Sequence, residues 1–163
     1  MAKRVLFLVN GLGLGNATRC HAVIDELRSM NCEIAVVTSG NGFWYFKNNA
    51  VSKHLFEIPQ INYAKRNGRI DILRTLFSAP KMLKTNRQNS ALLENILSRF
   101  KPQVVVADSV YTSSIIRKFD IPLVHLNNAD VVMADYKEHG LPMSVQFQFQ
   151  VVERMDYLFH KFN

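Results

Sequence analysis

The sequence is poor in the residues that brace small secreted domains or hold metals. Its 163 residues include two cysteines, Cys20 and Cys32. That is too few for a disulfide framework, and both are expected to be reduced, buried small hydrophobes. The five histidines, His21, His54, His125, His139 and His160, are scattered. No Cys/His pair has ligand spacing, so no metal is expected; His125, inside an apolar run, reads as a core histidine. No run approaches the ~18 apolar residues of a spanning helix. The opening Met-Ala-Lys-Arg leads into a strand without the pattern of a cleavable signal, so the expected location is the cytoplasm. Repeats, low-complexity tracts and linkers are also missing. The expectation is one domain over residues 1–163, large enough to bury roughly 70% of its unfolded surface.

Acids are scarce in one stretch. From Lys65 to Lys101 there are nine basic residues: Lys65, Arg66, Arg69, Arg74, Lys81, Lys84, Arg87, Arg99 and Lys101. Only Asp71 and Glu94 oppose them, which accounts for the whole net charge of +7. The stretch reads either as a solvated basic face or as an attractor for anionic lipid or a phosphate-bearing substrate. Nucleic acid is not expected, because no stacking module or base-reading motif accompanies the charge. Residues 60–68 read as a loop and 69–77 as a helix. A longer helix runs from near Pro80 to about residue 100, with Leu93, Ile96 and Leu97 inward. Together these predict a protruding basic hairpin with an apolar face.

What is present is concentrated near the start, in Val5-Leu-Phe-Leu-Val-Asn-Gly-Leu-Gly-Leu-Gly-Asn-Ala-Thr-Arg19. An apolar β-prone run stops at Asn10. Gly11, Gly13 and Gly15 follow, and then Ala17, Cys20, Ile24 and Leu27 mark one helical stripe. Strand, glycine turn and helix are the opening unit of a doubly wound α/β domain. Residues 33–38 read as a second strand, apolar on both faces, and Ser39 to Gly42 as its terminating turn. A short aromatic helix follows, with Phe43, Trp44, Tyr45 and Phe46 mostly in the core. Residues 54–58, 104–108 and 121–126 read as further strands, 109–119 as a helix, and 143–162 as a helix.

The predicted sheet is parallel, with the first strand central, the second and third on one side and the last two on the other. The switch-point rule then brings the glycine turn, Ser39, Asp108, Ser109 and Asn127 to one crevice. The glycine spacing is not that of a dinucleotide fold, whose third glycine falls one residue later, where Asn16 stands. The second strand also ends without a ribose-binding acid. No Lys-Ser/Thr follows the glycines, which excludes a P-loop.

The run Gly11-Leu-Gly-Leu-Gly-Asn-Ala-Thr-Arg19 resembles the N-terminal signature of GT-B glycosyltransferases, especially MurG-like enzymes of glycosyltransferase family 28. Pro102-Gln-Val-Val-Val ahead of Asp108, and Ile121-Pro-Leu-Val-His-Leu-Asn127, are similar to two later stretches of that family. The resemblance implies a Rossmann-like acceptor domain, the N-terminal half of a GT-B fold. A UDP-sugar donor would belong to a C-terminal half or separate subunit absent from this chain, leaving no cofactor here. It further implies a lipid-linked or cell-envelope acceptor; an absent half would leave an apolar surface uncovered, so self-association is expected, and the basic Lys65–Lys101 stretch is expected to meet an anionic membrane or a pyrophosphate-bearing acceptor. The alternative is a non-catalytic module for a phosphorylated small molecule.

The family's usual histidine in the glycine turn is Asn16 here, and an amide cannot deprotonate a hydroxyl at neutral pH. The candidate bases are therefore Asp108 and His21. Asp108 also reads as a strand-end acid capping the next helix, and His21 as a packed surface residue. Gly11, Gly13, Gly15, Asn16, Thr18, Arg19, Ser39, Ser109 and Asn127 are the expected acceptor contacts. Arg19 doubles as an anion clamp or a local salt-bridge partner, and Asn16 and Thr18 as helix caps. Lys65, Arg66, Arg69 and Arg74 are the expected membrane or phosphate contacts.

Overall fold

The computed structural model describes residues 2–60, 65–66, 69–70, 77, 79–110 and 113–126. Asn127, Arg74 and the expected helix over residues 143–162 lie outside that set. In chain order the elements are β1 (Arg4–Val9), α1 (Leu14–Ser29), β2 (Glu33–Thr38), α2 (Gly40–Asn48), β3 (His54–Glu57), β4 (Lys65–Arg66), β5 (Arg69–Ile70), α3 (Ala79–Phe100), β6 (Val104–Asp108), α4 (Ser113–Lys118) and β7 (Leu123–His125). Five strands form a parallel sheet in the order β3-β2-β1-β6-β7, the order the apolar runs and glycine turn predict.

The central strands are apolar at consecutive positions because both their faces are covered. On one face Val5, Phe7, Val9, Ile34 and Val36 pack with Ala17, Cys20 and Ile24 of α1 and Phe46 of α2. On the other, Leu6, Leu8, Ala35, Val37, Val105 and Ala107 pack with Leu93, Leu97 and Phe100 of α3 and Ile116 of α4. Each large side chain so buried contributes about 1.5–3 kcal/mol. Helix α1 stops where Asn31 turns left-handed, with φ 61°; the Cys32 N–H then donates to the Leu27 carbonyl at 3.0 Å.

Several expectations change. Ser39 to Gly42 is not a free turn, because α2 begins at Gly40 with Ser39 as its N-cap. Of the aromatic run, Phe46 is buried, but Trp44 is 61% exposed, since two helical positions rotate a side chain by about 200°. His125 is exposed on β7, the end strand of the sheet among the described residues. Arg69 and Ile70 do not start a helix. They pair antiparallel with Lys65 and Arg66, inside the span expected to be a loop and a helix. The Asn67-Gly68 between them is a strong short-range hairpin signal in the sequence. Finally, the C-terminal half of α3 does not protrude, because its apolar stripe packs on the sheet.

Candidate functional site

Asn10 ties the two sides of the crevice together. As β1 ends, its backbone N–H donates to the Asp108 carbonyl at 3.0 Å, continuing the ladder to β6. Its side-chain Nδ2 donates to the Ser109 carbonyl at 3.0 Å, while Oδ1 accepts the Leu12 N–H at 3.0 Å. One amide thus folds the glycine turn and anchors it to the segment after β6. Ser109 answers with a left-handed backbone, φ 54°, which is costly for a non-glycine residue and is held by this contact and by its Oγ donating to Asp108 Oδ1 at 3.2 Å.

The three glycines of the turn differ in what they do. A Cβ on Gly11 would run into the Ser39 carbonyl, so close packing requires glycine there. Gly13 is the extended N-cap of α1 and makes no side-chain cap; a Cβ on Gly13 or Gly15 would meet nothing within 4 Å. The cap role expected for Asn16 and Thr18 therefore fails, since α1 starts before both. Thr18 instead donates back to the Gly15 carbonyl at 3.1 Å. Below the turn, Thr38 Oγ1 is buried with no hydrogen-bond partner among the described residues, packed where a Cβ on Gly42 would stand.

Arg19 and Asp108 form the electrostatic centre. Asp108 is 0% exposed. Arg19 Nη2 lies 2.7 Å from Oδ1 and 2.8 Å from Oδ2, and Nε lies 3.0 Å from Oδ2. The Cys20 thiol adds a contact to Oδ2 at 3.5 Å. The carboxylate is thus surrounded by donors from Arg19, Cys20 and Ser109. Its hydrogen bonds hold the Arg19 guanidinium above its ordinary value, further into the charged form. Burial, and then the charge of Asp108, push the Cys20 thiol far above its usual range, so it stays protonated and inert. Arg19 Nη2 also reaches Asn16 Oδ1 at 3.3 Å. With its carbonyl so engaged, the Asn16 amide offers its two N–H groups as donors.

His21 is elsewhere. Two positions past Arg19, it points to the other flank of α1, where Nδ1 and the Tyr45 hydroxyl are 3.0 Å apart. Its Nε2 faces Asp25 at 3.4 Å, and its ring meets Tyr45 edge-on, with centroids 5.7 Å apart. Gly11, Gly13, Gly15, Asn16, Arg19, Ser39, Asp108 and Ser109 therefore gather at one edge of the sheet, and His21 joins the α1–α2 seam. Sequence reasoning missed Asn10 as a site residue and Tyr45 as the partner of His21; the Asx-turn potential of Asn10 ahead of a glycine was its one available signal. Among the described residues, no three His, Cys, Asp or Glu side chains group to hold a metal.

Residues 3–154 match the profile described as glycosyl transferase family 1. An uncharacterized glycosyltransferase of Methanosarcina acetivorans is 25% identical over 173 residues, covering 94% of this chain and 41% of that protein. The chain thus spans about two-fifths of the length of the curated relatives it matches. Among solved structures, CalG4, the calicheamicin glycosyltransferase, superposes with a TM-score of 0.57 at 16% identity, covering 98% of this chain and 43% of that one. MurG of Acinetobacter baumannii superposes with a TM-score of 0.52 at 16% identity, covering 77% and 35%. At such identities these two show a shared fold. With the family profile spanning nearly all of it and a parallel sheet of the GT-B kind, the chain belongs to glycosyl transferase family 1.

Proposed function

We propose that this chain is the acceptor-binding half of a nucleotide-sugar-dependent glycosyltransferase, and that the crevice between the glycine turn and the end of β6 receives the acceptor. The observation that carries the reading is the Asp108–Arg19–Asn16 chain of hydrogen bonds at the C-terminal edge of a parallel sheet, where such folds take their ligands. Asp108 and Arg19 act as positioning residues. Asp108 fixes the guanidinium, the guanidinium fixes the Asn16 carbonyl, and the Asn16 N–H groups hold an oxygen of the acceptor. Asp108 is fully buried and its oxygens face Arg19, Cys20 and Ser109, out of reach of an acceptor hydroxyl, so the acceptor's proton leaves by another group. The UDP-sugar binds a half beyond these residues, and the acceptor is lipid-linked.

The test joins the chain to a donor-binding half and follows label from UDP-glucose and UDP-N-acetylglucosamine into a total lipid extract. Labelled lipid is expected, with kcat about 10–100-fold lower in Asn16→Ala at unchanged thermal stability. Label in water-soluble products alone would remove the lipid-linked acceptor, and no transfer from any nucleotide sugar would overturn the transferase reading.

A further inference from the structure

We propose that Asn10 is a positioning residue for transfer, acting on Asn16 through a ring of hydrogen bonds that closes around the crevice. Its amide reaches both walls at once. Nδ2 donates to the carbonyl of Ser109, 99 residues away in sequence, and Oδ1 accepts the Leu12 N–H, each at 3.0 Å. From Ser109 the ring passes to Asp108 Oδ1, which accepts the Ser109 hydroxyl at 3.2 Å. Arg19 Nη2 then bridges Asp108 Oδ1, at 2.7 Å, and Asn16 Oδ1, at 3.3 Å. The backbone from Asn16 back through the glycine turn to Leu12 and Asn10 closes the ring covalently.

The orientation of the Asn10 amide is fixed by its partners. Turned over, it would set Nδ2 against the Leu12 N–H and Oδ1 against the Ser109 carbonyl, donor on donor and acceptor on acceptor. A carboxylate cannot take its place, because the link to Ser109 needs a donor. Ser109 is the member that depends on that donor. Its backbone is left-handed, φ 54°, a conformation that serine keeps only when its surroundings over-determine it. Without the Asn10 N–H the Ser109 carbonyl turns away and takes the hydroxyl off Asp108. The carboxylate then shifts, Arg19 follows it, and the Asn16 amide leaves its working place. A displacement of about 1 Å at a group that holds substrate costs up to about 100-fold in rate. Asn10 therefore acts on the acceptor without touching it. Its effect on transfer rests on the acceptor reading above; the ring does not.

In the chain joined to a donor-binding half, Asn10→Ala should lower kcat about 10-fold and leave the nucleotide-sugar KM within about twofold. Asn10→Asp keeps the acceptor for Leu12 but cannot donate to Ser109, so it should lose at least as much. Added to Asn16→Ala, Asn10→Ala should cost less than about twofold more, because both act through one amide. Ser109→Gly, which is left-handed without penalty, should return about threefold or more in the Asn10→Ala background. Tyr45→Phe, a loss of one hydrogen bond away from the ring, should keep transfer within about twofold. Multiplicative losses in the Asn10/Asn16 double variant, full activity of Asn10→Asp, or no recovery with Ser109→Gly would each overturn the proposal. NMR of the isolated chain reads the ring independently of transfer. Asn10→Asp should move the Ser109 Cα and Cβ resonances out of the left-handed range and shift the Asn16 side-chain amide signals; unchanged Ser109 and Asn16 signals would overturn the ring. If those signals move but the unmutated joined enzyme transfers nothing, the ring stands and the acceptor reading falls.

Discussion

The guanidinium of Arg19 covers the carboxylate of Asp108, 89 residues away in sequence, with a shortest N–O distance of 2.7 Å. One partner is fully buried and the other keeps 31% of its side chain exposed. Losing either partner has unequal consequences. Arg19→Ala strands a buried charge and should destabilise the fold by about 2–4 kcal/mol. Asp108→Asn, which leaves an amide to be satisfied, should cost less, and the double variant should recover part of the loss. Urea denaturation of the four proteins measures this; additive losses would mean that the pair is not coupled.

The glycine turn separates packing from access. Gly11→Ala should cost about 1–3 kcal/mol through overlap with Ser39. Gly15→Ala, inside the first turn of α1 with open space around it, should stabilise the chain by about 0.5–1 kcal/mol. If that space serves the acceptor, the same Gly15→Ala variant raises the melting temperature while lowering transfer by the joined halves. A stabilised variant with full activity would argue that the space is idle.

Cys20 sets an alkaline limit on stability. Its thiol is raised above its ordinary value of 9.0 in the folded chain, chiefly by burial. Above that ordinary value the unfolded chain releases the thiol proton and the folded chain keeps it. The unfolded state then binds fewer protons, and stability falls as pH rises, by up to about 1.4 kcal/mol per pH unit from this group. Below pH 9 the contribution is fully present. Denaturation from pH 7 to 11, compared with Cys20→Ala, should show a shallower alkaline decline in the variant; identical slopes would contradict the assignment.

His21 and Tyr45 hold α1 to α2. Tyr45→Phe keeps the ring contact and loses one hydrogen bond, so it should cost about 0.5–1.5 kcal/mol. In the joined enzyme His21→Gln should change kcat by less than about threefold, against the 100-fold or greater loss expected for a general base. A loss of that size would restore His21 as the base.

Much of this was readable from sequence where local chemistry repeats a simple rule. Val5 to Val9 are apolar without alternation because the strand is covered on both faces, and Ala17, Cys20 and Ile24 keep the helical period. Those signals suffice for the sheet order and for the crevice it creates. The pairing inside the crevice was not readable. Asp108 and Arg19 were each singled out, but which donors surround a strand-end acid depends on a turn of helix fixed by packing. The left-handed Ser109 gives no compositional sign, since serine seldom adopts it. Trp44 and His125 were misplaced for a shared reason: hydrophobic context suggests burial, whereas helix rotation and an end-strand position decide it.

The central claim is a division of labour, with the acceptor on this chain and the nucleotide sugar held elsewhere. The most direct measurement is calorimetric titration of the isolated chain with UDP, UDP-glucose and UDP-N-acetylglucosamine, followed by assay for released UDP. No saturable heat and no UDP release are expected, because the proposed site for the nucleotide sugar lies outside these residues. Micromolar binding of any of the three, or UDP release by the chain alone, would contradict it by locating the donor site within these residues.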